Sequence, residues 1–201
     1  MIVSLIDYGA GNVTSVARAL RRLNAEVRIT DQPEEITDAC CLILPGVGHC
    51  AALLGSLDSH GLRRPLLTAL SGGTPFLGIC LGLQALYQSS AEAPELSGLG
   101  ILKGRVDQLP QSVKLPHMGW NQIRTVHSSR LLERIPPAAH FYFAHSYAAP
   151  TGGAETAALC EHGREFTAVL ETERIFGVQF HPEKSGAPGA NLLDNFLRLA
   201  A

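Results

Sequence analysis

Thr74-Pro75-Phe76-Leu77-Gly78-Ile79-Cys80-Leu81-Gly82-Leu83-Gln84 is the stretch that decides how this chain folds. Thr74–Ile79 is a short apolar run that reads as a buried strand, and Leu81–Gln88 has helical spacing. A cysteine between them occupies a nucleophile elbow, a turn too tight for side chains two residues to either side. Gly78 and Gly82 meet that demand. The turn also sets the sulfur at a helix N-terminus, whose free N–H groups and positive dipole end favour an anion. Most free cysteines are simply small buried hydrophobes, but the paired glycines favour the nucleophile here.

A cysteine nucleophile needs a general base, and the base needs a group to orient it. Both stand about a hundred residues on, in Val178-Gln179-Phe180-His181-Pro182-Glu183-Lys184-Ser185. His181 and Glu183 follow an apolar strand, Arg174–Phe180, and residues two apart share one face of an extended chain. Pro182 fixes its own backbone angle and keeps His181 out of helical space, so imidazole and carboxylate leave a rigid corner together.

Competing chemistries fit less well. His-x-Glu also occurs in zinc deaminases, but the Pro-Cys-x-x-Cys pair they require is absent. Cys40 and Cys41 are adjacent and point opposite ways on a strand, which does not suit structural zinc; no metal site is expected. Gly9-Ala10-Gly11, with Asp31 downstream, resembles a dinucleotide fingerprint, yet Thr14 stands where the third glycine belongs. Nothing else cradles a phosphate, and no cofactor is implied.

Composition bounds the setting. A chain of 201 residues, 46% hydrophobic, can bury one good core and reads as a single domain over 1–201. A net charge of −2 gives no electrostatic case for nucleic acid or an acidic membrane surface. Five cysteines, odd in number and irregularly spaced, suit a reducing compartment. The opening apolar run ends at Asp7, too soon for a signal peptide, and no apolar run approaches a membrane span. The expectation is a cytoplasmic enzyme-sized domain.

Strands and helices alternate along the chain. Met1–Asp7, Ala25–Thr30 and Cys40–Leu44 read as strands, and Asn12–Leu23 as a helix with Val13, Val16, Ala17 and Leu20 on one face. A short helix starts near Pro33, with Ala51–Asp58 and Leu62–Leu70 helical before the elbow. Between Gly98 and Val126 the segments shorten and read as antiparallel additions. His140–His145, Glu165–Glu171 and Arg174–Phe180 are strands, and Ala190–Leu199 is a closing amphipathic helix. The expected fold is an α/β three-layer sandwich with a mostly parallel central sheet, the elbow lying at the carboxyl end of one strand.

The elbow Gly-Ile-Cys-Leu-Gly-Leu-Gln-Ala-Leu, the loop Pro45-Gly46-Val47-Gly48 and the corner Gln-Phe-His-Pro-Glu-Lys-Ser resemble those of the triad-type (class I) glutamine amidotransferases. Asp7-Tyr8-Gly9-Ala10-Gly11-Asn12, Pro116-His117-Met118-Gly119-Trp120-Asn121 and Tyr142-Phe143-Ala144-His145-Ser146-Tyr147 are similar to the glutaminase subunits of imidazole glycerol phosphate synthase. The resemblance runs from residue 2 to about 198. Ala10, where a larger residue is common, and Cys50, where an aromatic is expected, depart from it.

The resemblance implies a flavodoxin-like glutamine amidotransferase fold, with L-glutamine hydrolysed through a Cys80 thioester by Cys80, His181 and Glu183. It implies an oxyanion hole from the Leu81 and Val47 N–H groups, and glutamine held by Gln84 and Glu92 with Ser146 and Tyr147 nearby. It also implies a heterodimer with a (β/α)8-barrel cyclase subunit that receives the ammonia, contacted through Asn12, Trp120, Tyr142 and Lys184. Read without it, Gln84 is a helix surface residue, Glu92 a loop charge, Pro45–Gly48 a tight strand exit, and Trp120 either core or interface. Two other functions remain open at this point: the glutaminase of another synthase, such as that making pyridoxal phosphate, and a non-enzymatic interaction module on the same scaffold.

Overall fold

The order in which short apolar strands alternate with helices dictates how the sheet is built. In the computed structural model, which describes residues 2–10 and 12–201, the first half runs β1 (Ile2–Ile6), α1 (Val13–Arg22), β2 (Glu26–Thr30), α2 (Pro33–Thr37), β3 (Leu42–Gly46), α3 (Cys50–Ser59), α4 (Arg63–Ser71), β4 (Phe76–Cys80) and α5 (Leu81–Gln84). Next come β5 (Tyr87–Ser90), β6 (Leu102–Gln108), β7 (His117–Gln122), β8 (Arg124–Thr125), β9 (His140–His145) and β10 (Tyr147–Ala148). The chain closes with β11 (Thr156–Glu161), β12 (Glu165–Glu171), β13 (Ile175–Val178), a 3-10 turn at Pro182–Lys184 and α6 (Gly186–Ala200). Met1 and Gly11, the latter in the Gly9-Ala10-Gly11 turn, lie outside the described residues.

Eight strands form the main sheet in the order β2-β1-β3-β4-β13-β12-β11-β8. The first five are mutually parallel and the last three antiparallel additions. Successive side chains of one strand point to opposite faces, and β3 and β4 show it. Ile43, Leu77 and Ile79 enter one apolar cluster with Val13, Val16, Ala17 and Leu20 of α1 and Leu192, Leu193 and Phe196 of α6. Leu42, Leu44 and Phe76 enter the other, with residues of α3 and α4. The three-layer sandwich results from that division, and strands covered on both faces explain why β3 and β4 are apolar throughout.

Three expectations need correction. The helix after Cys80 ends at Gln84, not Gln88; Tyr87–Ser90 leaves it to pair with β6, a long-range contact that overrides local helical spacing. That β5–β6 pair is parallel, so the additions in this part of the chain are not all antiparallel. β11 escapes the sequence reading because Thr156–Cys160 are all buried and so show no alternation.

The elbow is where the layers touch most closely. A Cβ on Gly82 would overlap the Leu44 carbonyl oxygen, one on Gly78 would come within 2.6 Å of the Gly82 carbonyl, and one on Gly46 within 2.6 Å of the Leu81 Cβ. These obstacles are mainly backbone, which cannot step aside. Gly82→Ala is therefore expected to cost about 3 kcal/mol or more, at the upper end of overpacking effects. Urea unfolding of the variant and the parent chain measures the difference.

Candidate active site

Parallel pairing brings the candidate groups to one edge of the sheet. Gly46 is paired with Cys80, and Ile79 with Val178, so Val47, Cys80 and the Gln179–Glu183 segment all emerge at the carboxyl ends of adjacent strands. Cys80 itself has φ 54° and ψ −104°, a conformation an L-residue adopts only when its surroundings impose it, at a cost of about 1–3 kcal/mol. The glycine contacts are that imposition. They aim the sulfur out of the turn and into a cavity of about 260 Å³.

His181 is fixed from both sides. Its N–H donates to the Tyr142 carbonyl at 2.8 Å, and the Ser185 hydroxyl donates to its carbonyl at 2.6 Å. Its Nδ1 lies 3.0 Å from Glu183 Oε1, with both side chains almost wholly buried. Since a carboxylate only accepts, Nδ1 carries the proton and Nε2 is the nitrogen left for the Cys80 sulfur. Asn12 Nδ2 donates to the same Glu183 oxygen at 2.9 Å.

Burial pulls the His181 pKa down, but hydrogen bonds and charges from Cys80 and Glu183 outweigh it and raise the value. Burial likewise pushes Glu183 up, and the His181 and Asn12 hydrogen bonds with the imidazolium charge bring it below the ordinary carboxylate value. The arrangement favours a charged imidazolium between carboxylate and sulfur.

Val47, Cys80, Leu81, Gln84, Glu92, Ser146, Tyr147 and His181 all line the cavity, so every residue expected to touch substrate or oxyanion faces one space. Glu183 stands behind His181. Glu92 is anchored by the Cys50 N–H, which donates to its Oε2 at 2.8 Å and holds the carboxyl group in a fixed position. Cys50 is buried at the start of α3, so its departure from the expected aromatic leaves that anchoring bond in place. The Val47 N–H donates to the Tyr8 hydroxyl at 3.3 Å, with Gly48 beside it at φ 95°.

The sequence matches the family model described as "Glutamine amidotransferase class-I" over residues 4–200. The chain belongs to the class-I glutamine amidotransferases. It is similar to the protein named "Imidazole glycerol phosphate synthase subunit HisH" from Methanothermobacter thermautotrophicus, at 43% identity over 98% of each chain. The protein of the same name from Moorella thermoacetica is 45% identical over 96% of this chain and 93% of its own. A crystal structure titled as a glutamine amidotransferase superposes with a TM-score of 0.79, covering 100% of this chain and 99% of the other; at 20% identity it speaks to the fold alone.

In this amidotransferase the residues expected at a partner surface divide. Trp120 is 56% exposed, which rules out the core reading, and it sits opposite Tyr142 in the β7–β9 ribbon with the rings 6.0 Å apart. Lys184 Nζ lies 5.6 Å from the Tyr142 ring centre and also borders the cavity. Asn12 points inward to Glu183, a role its place in the sequence does not disclose.

Sequence reasoning also passes over Tyr8, His145 and Gln179. Gln179 alone left a signal: a polar residue inside an apolar run, two before His181. His145 donates from Nδ1 to the Tyr147 carbonyl at 2.9 Å, which leaves its Nε2 to accept from His117 Nδ1 at 3.0 Å. Burial lowers His117 to about 4 and, still more strongly, His145 to about 3, so both stay neutral beside the charged His181.

Stability should carry the signature of the His181–Glu183 pair. The raised His181 value stabilises fully below its ordinary 6.5 and fades as pH climbs through the folded value. The lowered Glu183 value stabilises fully above its ordinary 4.5 and fades as pH drops through the folded value. Glu183→Gln should thus cost most between pH 4.5 and 6.5, by about 3 kcal/mol as for other broken buried pairs, with the gap narrowing on either side. Denaturant melts of both proteins across pH 3–10 read that profile.

Proposed function

We propose that this chain is the glutaminase subunit of an imidazole glycerol phosphate synthase, a single domain working in the cytoplasm. It hydrolyses L-glutamine and passes the ammonia to a (β/α)8-barrel cyclase subunit. The observation that carries the reading is a buried Cys80–His181–Glu183 set at one cavity, in a chain that aligns nearly end to end with proteins of that name.

Each step has a group to perform it. Cys80 Sγ attacks the side-chain amide carbon of glutamine, and the carbonyl oxygen takes up the negative charge. The Leu81 N–H and, once turned inward, the Val47 N–H receive that oxyanion, each donor being worth about 3–4 kcal/mol. His181 gives its proton to the departing nitrogen, ammonia leaves, and a thioester remains on Cys80. A water deprotonated by His181 then attacks the thioester, releasing glutamate and restoring the thiol. Glu183, held by Asn12, keeps the imidazolium oriented through both halves. Glu92 offers a carboxylate to the substrate's α-ammonium, and Gln84 borders the same cavity.

The chain can release ammonia, but its phosphate-cradling motifs are incomplete, so a sealed path to a docked synthase is required. Met118 and Trp120 on β7, with Tyr142 beside Trp120 and Lys184 over the Tyr142 ring, form the docking face in this reading; Met118 is 65% exposed.

Two measurements test the proposal. Cys80→Ala should abolish glutaminase activity with the circular dichroism spectrum unchanged, while added ammonium still supports synthesis by the partner; hydrolysis near the parent rate would sink the assignment. The hydrogen bond from Val47 to Tyr8 supports a resting state in which one oxyanion donor is occupied. The isolated chain should then turn over slowly and the liganded synthase should speed it about a thousandfold, roughly 4 kcal/mol of differential binding. Tyr8→Phe removes the acceptor and should raise the partner-free rate several-fold while shrinking the stimulation. An isolated parent chain already at full speed would refute the switch and leave the triad standing.

A further inference from the structure

Two buried carboxamides form a series that ends at the Cys80 sulfur, and the mechanism above gives one of them no role. Gln179 is wholly buried and Gln84 nearly so. Gln84 Nε2 is 2.6 Å from the Tyr147 carbonyl oxygen and 3.0 Å from Gln179 Oε1. Gln179 Nε2 is 3.6 Å from Cys80 Sγ, within reach of an N–H···S contact.

The orientation of both amides comes from donor and acceptor counting. A backbone carbonyl can only accept, so Gln84 must turn its NH₂ toward Tyr147. The second N–H of that NH₂ meets Gln179, which must answer with its oxygen. Gln179 is then left with its NH₂ facing the sulfur, and no flip of either amide preserves both bonds. The Tyr147 carbonyl that starts the series is itself fixed by His145 Nδ1 at 2.9 Å.

We propose that Gln179 is a further catalytic residue of the glutaminase reaction, donating an amide N–H to the Cys80 thiolate, and that Gln84 is the positioning residue that turns it there. This rests on the reading of Cys80 as the nucleophile. His181 faces the sulfur as a cation that later gives up its proton, whereas Gln179 keeps its hydrogen throughout. It therefore steadies the thiolate before attack and again when the thioester is cleaved. An amide N–H on an anionic acceptor in a dry site is among the stronger hydrogen bonds. Gln84 consequently meets the substrate through its oxygen only, since both its N–H groups are taken.

The test is alkylation of Cys80 by iodoacetamide, a small neutral reagent, in the full chain without glutamine. Labelling is tracked by peptide mass spectrometry because the exposed Cys40 also reacts. Besides His181, the sulfur faces Tyr8 at the end of β1, and Glu92, His145, Tyr147 and Lys184 border its cavity. None of these is altered in the variants. Gln179→Leu should raise the pH of half-maximal Cys80 alkylation by about one unit, a tenfold loss of thiolate preference. In the complex it should lower kcat about tenfold with KM for glutamine little changed. Gln84→Leu does not touch the sulfur, yet it should shift the same midpoint in the same direction.

A Gln84 that served only to bind substrate would leave the midpoint where it was, and that result overturns the relay. An unmoved midpoint in Gln179→Leu overturns the proposal outright. So does a shift accompanied by new labelling of buried Cys41 or Cys160, which would mark a loosened core. If Cys80→Ala kept its glutaminase activity, the nucleophile assignment would fail instead, so the two failures are distinguishable.

Discussion

Three glycines with no space for a methyl group hold Cys80 in a backbone conformation that it would otherwise leave. Gly46 closes β3 against the elbow, while Gly78 and Gly82 let the two arms of the turn meet backbone to backbone. The direction of the sulfur thus comes from steric exclusion across two strands and a helix start. Everything else at the site is placed relative to that fixed sulfur. Strain of about 1–3 kcal/mol at one residue is sustained by the burial of the two apolar clusters around it.

Electrostatics completes what sterics begins. His181 sits in a place where burial alone would keep it neutral, as His145 and His117 are kept neutral nearby. What separates it from them is the carboxylate behind and the thiol in front. Asn12 donates to the same Glu183 oxygen and so holds the carboxylate in place behind the ring. One charged imidazole among neutral ones lets a proton be moved at one atom without disturbing the rest of the wall.

Much of this is legible in the amino-acid sequence. The elbow and the His-Pro-Glu corner are local: their meaning lies in neighbours two residues away, which sequence displays directly. β3 and β4 are legible because burial on both faces makes strands uniformly apolar. β11 is buried throughout as well, but Thr156-Ala157-Ala158-Leu159-Cys160 is built mostly of small residues and so shows neither alternation nor a bulky apolar run. Tyr87–Ser90 misreads as helix because its pairing partner lies in β6, beyond the reach of local spacing. Tyr8, Asn12 and Gln179 act through contacts with residues 39, 171 and 99 positions away, and no local pattern encodes such distances.

The position of β13 has a consequence in time. It is the last strand of the chain, yet it lies in the middle of the main sheet, between β4 and β12. Until Ile175 and the residues after it have left the ribosome, β4 has an open edge and Cys80 has neither His181 nor Gln179 beside it. On the proposed mechanism a nascent chain is therefore silent until this segment has emerged, however well its first half has folded. The sheet then withholds its own reactivity until β13 takes its place beside β4.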